Sequence, residues 1–376
     1  MSGIYIHIPF CRQACHYCDF HFSTSMKNKG DMVAALAKEL QMRKRESDDE
    51  VVETIYFGGG TPSVLSTKEI NFLIDEVYKN YDVDENPEIT LEANPDDLSS
   101  EKILQLANSK INRLSIGIQS FFDEDLKMMN RAHNADEAQK SLTEATQHFN
   151  NISIDLIYGM PGMTDARWTE NIETALSYGV PHISSYALTV EPKTALKKLI
   201  AAGKIASPDD DVAQQHFHIL VDILSKNGFI HYELSNFGEE NYFSKNNSAY
   251  WLGKKYLGVG PSAHSYDGNR RSWNIANNLL YLRSIEADTL PSETELLTAT
   301  DRYNEYVMTG LRTIWGISYH RIRQDFGEVM LQYLQRQALK YIDDGLLKVE
   351  KDILTTTQKG KFLTDGIASD LFYIVE

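Results

Sequence analysis

Between residues 3 and 190 short extended patterns alternate regularly with helical ones, and this rhythm leaves few architectures open. Residues 3–8 (GIYIHI) alternate like a strand, and residues 31–46 place Val33, Leu36, Ala37 and Leu40 on one helical face. VETIYF (52–57) reads as a strand ending in Gly58-Gly59-Gly60. Helical patterns at 67–79, 99–108, 134–148 and 165–178 then separate extended ones at 88–93, 113–120, 152–159 and 182–188. Such alternation implies parallel strands joined by crossover helices. About six units suit a partial barrel better than a short open sheet. The expected fold class is therefore α/β, a partial (β/α)6-type barrel.

After residue 205 the rhythm weakens. A helix fits 208–226, IHYEL (230–234) is extended, and a stretch rich in Gly, Asn, Ser and aromatics fills 235–275. From about residue 297 the pattern is helical, with a break expected at Asp325-Phe326-Gly327, and GLLKVEKDILTTT (345–357) reads as a hairpin followed by a helix. This predicts a barrel core over 1–205, an extension with the haem or substrate region over 206–290, and a mostly helical, winged-helix-like module over 291–376.

Apolar residues are 42% of the 376, enough for a large core, and no apolar run reaches the 18 or more residues of a membrane span. The start, MSGIYIHIPFCRQAC, lacks the features of a signal peptide, so a cytoplasmic location is expected. The net charge of −16 argues against nucleic acid as a partner. The one dense basic run, Arg43-Lys44-Arg45, reads as a solvated helix end.

The unusual residues collect where strands end, which is where β/α barrels build their sites. All three cysteines sit on one loop after the first strand, as Cys11-Arg-Gln-Ala-Cys15-His-Tyr-Cys18. An odd, clustered set is a poor disulfide framework and a good set of soft metal ligands. Three thiolates can hold three corners of a cubane and leave its fourth iron open. The alternative is a zinc site completed by His7, His16 or His21. Gly58-Gly59-Gly60-Thr61-Pro62 ends the second strand, either as a cradle for a ligand or as an ordinary tight turn. Glu92 is either a ligand-binding carboxylate or an exposed loop acid. Gln119 and Arg131 fall at or just beyond a later strand end, and Arg131 could pair with a carboxylate. Asp155, inside the apolar strand ISIDLIYG, needs a structural partner or a place in the site.

CxxxCxxC after a first strand, with Tyr17 before the last cysteine, resembles the radical S-adenosylmethionine superfamily. The resemblance implies a [4Fe–4S] cluster on Cys11, Cys15 and Cys18. It also implies S-adenosylmethionine on the open iron, with Gly59, Gly60 and Thr61 near its methionine end. Tyr5, Tyr17, Glu92, Gln119, Arg131, Asp155, Ala187 and His264 complete the implied cofactor pocket.

YIHIPFC, YFGGGTPS, IGIQS, DLIYGMPG, YELSNF, YWLGKKYLGVGPSAHS and MTGLRT resemble the oxygen-independent coproporphyrinogen III oxidase group. Within it, the oxidases carry a further cysteine two residues after the motif, where this chain has Phe20, and a long N-terminal extension, where this chain has ten residues before Cys11. Both departures match the haem chaperone subgroup. That likeness implies haem and haemoprotein targets as partners, including contact with membrane haemoproteins, and no oxidase activity. The subgroup's His-Asn-x-x-Tyr-Trp segment here reads Asn246-Asn247-Ser248-Ala249-Tyr250-Trp251, so an amide replaces the proposed haem ligand. Asn246→His is expected to strengthen haem binding, and Tyr250-Trp251 to stack on a porphyrin face. His231 stands as a fallback ligand or a surface histidine.

Overall fold

The computed structural model describes residues 3–47 and 50–374. The first half is a run of six parallel strands with helices between them: β1 (Gly3–Ile8), α1 (Lys29–Met42), β2 (Val52–Gly59), α2 (Thr67–Asn80), β3 (Val83–Ala93), α3 (Ser100–Ala107), β4 (Arg113–Gln119), α4 (Asp123–Met128), α5 (Ala135–His148), β5 (Ile152–Tyr158), α6 (Asp165–Ser177) and β6 (His182–Ala187). The strands lie side by side in chain order. Local chemistry starts the helices where the periodicity predicts: Ser66 with Glu69, and Asn134 with Glu137, form capping boxes at α2 and α5.

The strands are two-faced. Ile4, Ile6, Ile55, Phe57, Leu114, Ile116, Ile152, Ile154 and Ile183 are at most 1% exposed and belong to the main apolar core. The alternate positions Tyr5, Tyr56, Glu92, Ser115, Asp155 and Ser184 face the inside of the curved sheet. Strand register stacks them: Tyr5 opposite Tyr56, Glu92 opposite Ser115, Ser115 opposite Ser153, and Asp155 opposite Ser184. A closed β/α barrel ordinarily fills its interior with branched apolar residues. This interior is polar and holds a cavity.

The remainder is α7 (Ala195–Ala201), α8 (Asp210–Lys226), β7 (Ile230–Glu233), β8 (Asn236–Gly238), α9 (Lys245–Trp251), β9 (Tyr256–Val259), β10 (His264–Tyr266), β11 (Arg270–Asn274), α10 (Asn278–Glu286) and β12 (Ser292–Leu296). The stretch 235–275 is thus far more regular than its composition suggests. β8 pairs antiparallel with β6 at one edge of the sheet, and β9 pairs parallel with β1 at the other, giving twelve strands in all. Buried side chains up to Ile285 join the core that begins at Ile4, so no break in packing falls at residue 205.

Arg43 corrects a sequence expectation. It is 5% exposed, not a solvated helix end, and its guanidinium bonds Glu39 (3.1 Å), Glu46 (2.7 Å) and the Gly258 carbonyl (2.7 Å). Glu39 is fully buried and accepts from Tyr281 Oη (2.5 Å), Asn274 Nδ2 (2.7 Å) and the Gly260 N–H (2.8 Å). This network bolts β9, β11 and α10 onto α1.

A second apolar core runs from Tyr303 to Leu371 and is built by α11 (Ala299–Leu311), β13 (Ile317–Ser318), α12 (Tyr319–Phe326), α13 (Glu328–Asp343), β14 (Leu347–Glu350), β15 (Ile353–Thr356) and α14 (Thr364–Asp370). The predicted break falls at Gly327, whose φ of +90° suits glycine. The strands form a three-stranded sheet of order β13-β15-β14, so the module is helical with a small wing. Among the described residues no helix is long and apolar enough to cross a membrane.

Candidate functional site

The cysteine loop is tied at both ends and pinned in its middle. At its ends, the Cys11 N–H donates to the Ser23 carbonyl (3.1 Å) and the Ser23 N–H to the Pro9 carbonyl (2.9 Å). In the middle, the His16 N–H reaches the Met129 carbonyl (3.0 Å), while the Leu196 N–H of α7 reaches the His16 carbonyl (2.7 Å). Across the same gap the Gln13 side chain donates to the Asn130 carbonyl (2.9 Å) and the Asn130 side chain to the Ala14 carbonyl (2.7 Å). Arg12 reaches Asp97 (2.5 Å), which also accepts from Ser63 (2.8 Å). The three cysteines are free thiols, with Cys11 buried and Cys15 and Cys18 half-buried. Burial pushes the Cys11 thiol up to about 11 and the Cys18 thiol up to about 12. A metal centre would have to displace those protons to gain thiolate ligands. Among the described residues no three His, Cys, Asp or Glu side chains converge on a single metal ion.

The glycine turn is required by contact. The Gly60 N–H bonds the Ile8 carbonyl (2.9 Å) and the Thr61 N–H the Phe10 carbonyl (2.7 Å), so the turn lies against the start of the cysteine loop. A Cβ on Gly60 would sit 2.6 Å from the Phe10 carbonyl oxygen. Gly59 has φ +110°, and a Cβ there would meet the His7 ring at 2.6 Å. Gly59→Val would therefore strain the β1–β2 packing as well as narrow the pocket. Thr61 Oγ1 donates to Cys11 Sγ (3.4 Å).

Beneath the loop, the inside of the barrel is a cavity of about 590 Å³. It brings together Tyr5, Cys11, Cys15, Tyr17, Cys18, Gly59, Gly60, Thr61, Glu92, Gln119, Arg131 and Asp155 of the residues expected from sequence. Arg131 sits under the cysteines: Nη1 lies 3.4 Å from Cys15 Sγ, and Nη2 donates to Asn94 Oδ1 (2.7 Å) and the Gly117 carbonyl (2.9 Å). Its Nε and the Oε1 of Gln119 are buried without partners. Gln119 also holds φ +67°, a strained value for a side chain of its kind. Orphaned buried polar atoms are rare, and these two point to a polar ligand beside them. A donor set of three thiols, a guanidinium, an amide and two carboxylates fits the cluster and S-adenosylmethionine that the resemblance implies.

The two carboxylates are half-buried in the cavity wall. Burial raises Glu92 to about 7, partly offset by the Tyr56 hydroxyl at 2.7 Å. Burial likewise raises Asp155 to about 7, with Arg131 and Arg113 pulling it down. Their unfolded values lie near 4. Between about pH 4 and pH 7 the folded chain thus holds more protons than the unfolded one, and stability falls as pH rises. Glu92→Gln and Asp155→Asn should each flatten that fall in the cofactor-free protein. Melting temperatures from pH 4 to 8 check this, and an unchanged slope in both variants would refute it.

Sequence reasoning missed Tyr56, Asn94, Arg113, His182 and Tyr186, which also line the cavity. The signal was present in RLSIGIQS, whose alternate residues Arg113, Ser115, Gly117 and Gln119 all face inward. Two expected residues are placed elsewhere. Ala187 does not line the cavity, because alternation along β6 turns Tyr186 inward instead. His264 is exposed on β10, beside Trp273, on the antiparallel extension beyond β9.

The Radical SAM superfamily profile matches residues 5–190, and the HemN C-terminal domain profile matches residues 297–363. Heme chaperone HemW of Bacillus subtilis is 34% identical over 98% of both chains. HemW of Mycobacterium tuberculosis (H37Rv) is 33% identical over 98% of this chain and 94% of its own. The chain belongs to the HemW family of radical SAM proteins. Its fold is also that of coproporphyrinogen III oxidase (HemN) from Escherichia coli, a radical SAM enzyme, with TM-score 0.85 and 22% identity over 99% of this chain and 90% of that one.

The HemW segment that was expected to hold haem lies inside the fold. Asn246 is 3% exposed, at the end of the cavity formed by the N-terminal ends of the strands, where its amide oxygen accepts from Thr54 (3.2 Å) and its N–H donates to Glu88 (3.1 Å). Tyr250 packs edge-on against Tyr256 at 4.5 Å, and the Trp251 ring is covered by Arg312 at 5.3 Å. Both rings are half-buried. His231 is not a surface residue either: it is 7% exposed and stacked on Phe237 at 4.1 Å. Phe20, by contrast, is 67% exposed at the cavity mouth.

Proposed function

We propose that this chain holds a [4Fe–4S] cluster on Cys11, Cys15 and Cys18, binds S-adenosylmethionine in the polar cavity beneath it, and serves as a haem chaperone that passes haem to haemoproteins from the cytoplasm. The observation that carries the reading is the polar barrel interior opening onto a pinned three-cysteine loop, in a chain whose full-length relatives are named heme chaperones.

When bound, the cluster supplies one electron to S-adenosylmethionine. The protein's own residues orient and exclude. Gly60 and Thr61 line the cavity with their N–H groups held by the Ile8 and Phe10 carbonyls and so shape it, Arg131 offers its free N–H to a carboxylate, and Gln119 an amide oxygen to a donor. Glu92 and Tyr56 form a hydrogen-bonded pair able to take a hydroxyl group. Phe20 offers neither a ligand nor a proton where the oxidases are expected to carry cysteine. Reconstituted protein is therefore expected not to convert coproporphyrinogen to protoporphyrinogen, and robust conversion would overturn the assignment in favour of an oxidase.

Haem titration tests the chaperone half. A Soret shift is expected in wild type. Because Asn246 is sealed against Thr54, Asn246→His is now expected to leave the band position unchanged, contrary to the expectation from sequence. A new imidazole-type spectrum in that variant would place haem inside the barrel. No Soret shift in either protein would remove haem from the reading.

A further inference from the structure

We propose that haem is held outside the barrel, in a second cavity between the β9–β12 extension and the C-terminal module, with the Tyr256 phenolate on its iron; this rests on the haem-chaperone reading above. Asn246 leaves that reading without a haem site, since it is 3% exposed and bonded to Thr54. The second cavity measures about 810 Å³. Small-molecule sites run from roughly 300 to 1,000 Å³. One wall is a file of side chains across the sheet: Tyr256 opposite Tyr266, Tyr266 opposite Arg271, and Arg271 opposite Glu295. The other wall comes from α11 and α12, through Arg302, Glu305, Tyr306, Arg321 and Phe326.

Three features select a planar, iron-bearing macrocycle with acid side chains. Aromatic rings stand on both walls, Tyr256 and Tyr266 on the sheet and Tyr306 and Phe326 on the helices, so a flat apolar ring can stack between them. The Tyr256 hydroxyl has no hydrogen-bond partner among the described residues, and tyrosine is one of the side chains that ligate haem iron. Arg302 donates from Nη1 to Asn269 Oδ1 (2.9 Å), yet its Nε is buried without a partner and no acid of the described residues pairs with it. A guanidinium in that state suits a carboxylate. The acids at the cavity, apart from the exposed Glu295, are engaged: Glu305 by Arg271, Asp325 by Arg321 (3.2 Å), and Asp301 by the Thr298 hydroxyl (2.7 Å) and N–H (2.8 Å). Tyr250 lines both this cavity and the one beneath the cysteines, so the two sites share a wall.

On binding, an Fe(III)–O bond forms as the phenol O–H breaks. The proton and the iron's former water or chloride leave to solvent, and no electron is transferred. The test titrates ferric haem into the reconstituted full chain and follows the visible spectrum. Wild type is expected to show a shifted Soret band together with a phenolate-to-iron charge-transfer band. Tyr256→Phe should lose the charge-transfer band. Arg302→Ala should keep it and bind about tenfold more weakly, the worth of one charge-assisted hydrogen bond. Thr309→Trp, which fills the cavity from α11, should exclude haem while its cluster absorption stays that of wild type. An unchanged spectrum in Tyr256→Phe, or wild-type affinity in Thr309→Trp, would overturn the site and leave haem binding standing. Wild type without any Soret shift would instead overturn the haem reading, and the site with it. If the melting curve shows that Tyr256→Phe does not fold, the other two variants decide.

Discussion

Glu39→Ala is expected to lose about 3–5 kcal/mol of stability, the range for breaking a buried ion pair from one side. Glu39 is fully buried and Arg43 is 5% exposed, so removal of the carboxylate takes away the one buried acid beside a guanidinium that keeps the half-exposed Glu46 and the Gly258 carbonyl. It also orphans Tyr281 Oη, Asn274 Nδ2 and the Gly260 N–H. Each lost partner is a further cost, since a buried donor left unmade keeps its desolvation penalty. The damage should localise: β9, β11 and α10 hang from this carboxylate, whereas the core from Tyr303 to Leu371 does not touch it. Urea unfolding followed by hydrogen exchange would check both claims. Exchange should accelerate in β9 and α10 well before α13. A variant within about 1 kcal/mol of wild type would show that the network is replaceable by water.

Cys15→Ala is expected to abolish the cluster almost entirely. Two thiolates leave a cubane with two open corners, and the usual cluster sites supply four ligands. Cys15 is also the thiol beside Arg131, at 3.4 Å, so its loss leaves that guanidinium facing an empty cage. Iron and labile-sulfide analysis of anaerobically reconstituted protein, with the visible absorption, reads the result. Retention of a full complement of iron and sulfide in the variant would mean that another side chain is the third ligand. Stoichiometric zinc without sulfide in wild type would remove the cluster altogether.

The barrel half was legible in the sequence because its strands are short, apolar on one side, and punctuated by caps such as Ser66 and Asn134. The cavity residues were legible where a polar side chain interrupts an apolar strand, as Asp155 does, or marks a strand end, as Glu92 and Gln119 do. β9 was not legible. Tyr256–Val259 is four residues long and becomes a strand only by pairing with β1, some 250 residues earlier. Arg43 was misjudged for the same reason: its neighbours in sequence suggest solvent, while Gly258 and Ser265 close over it from far along the chain. His231 shows the same error, a polar residue at a strand start that turns out to be buried and stacked on an aromatic. His264 follows a family segment faithfully, yet its strand lies on the extension outside the cavity.

The polar barrel interior has a consequence for the life of the protein in a cell. Arg131 Nε and Gln119 Oε1 are unmade bonds in the cofactor-free chain, and Glu92 and Asp155 are acids held where ionisation is disfavoured. A ligand that satisfies these groups binds the folded state and not the unfolded one, so it raises stability by mass action. Chains that miss their cofactor then spend more time open to proteases. With the cluster proposed above, the steady-state amount of this protein should follow iron and sulfur supply without any change in its synthesis.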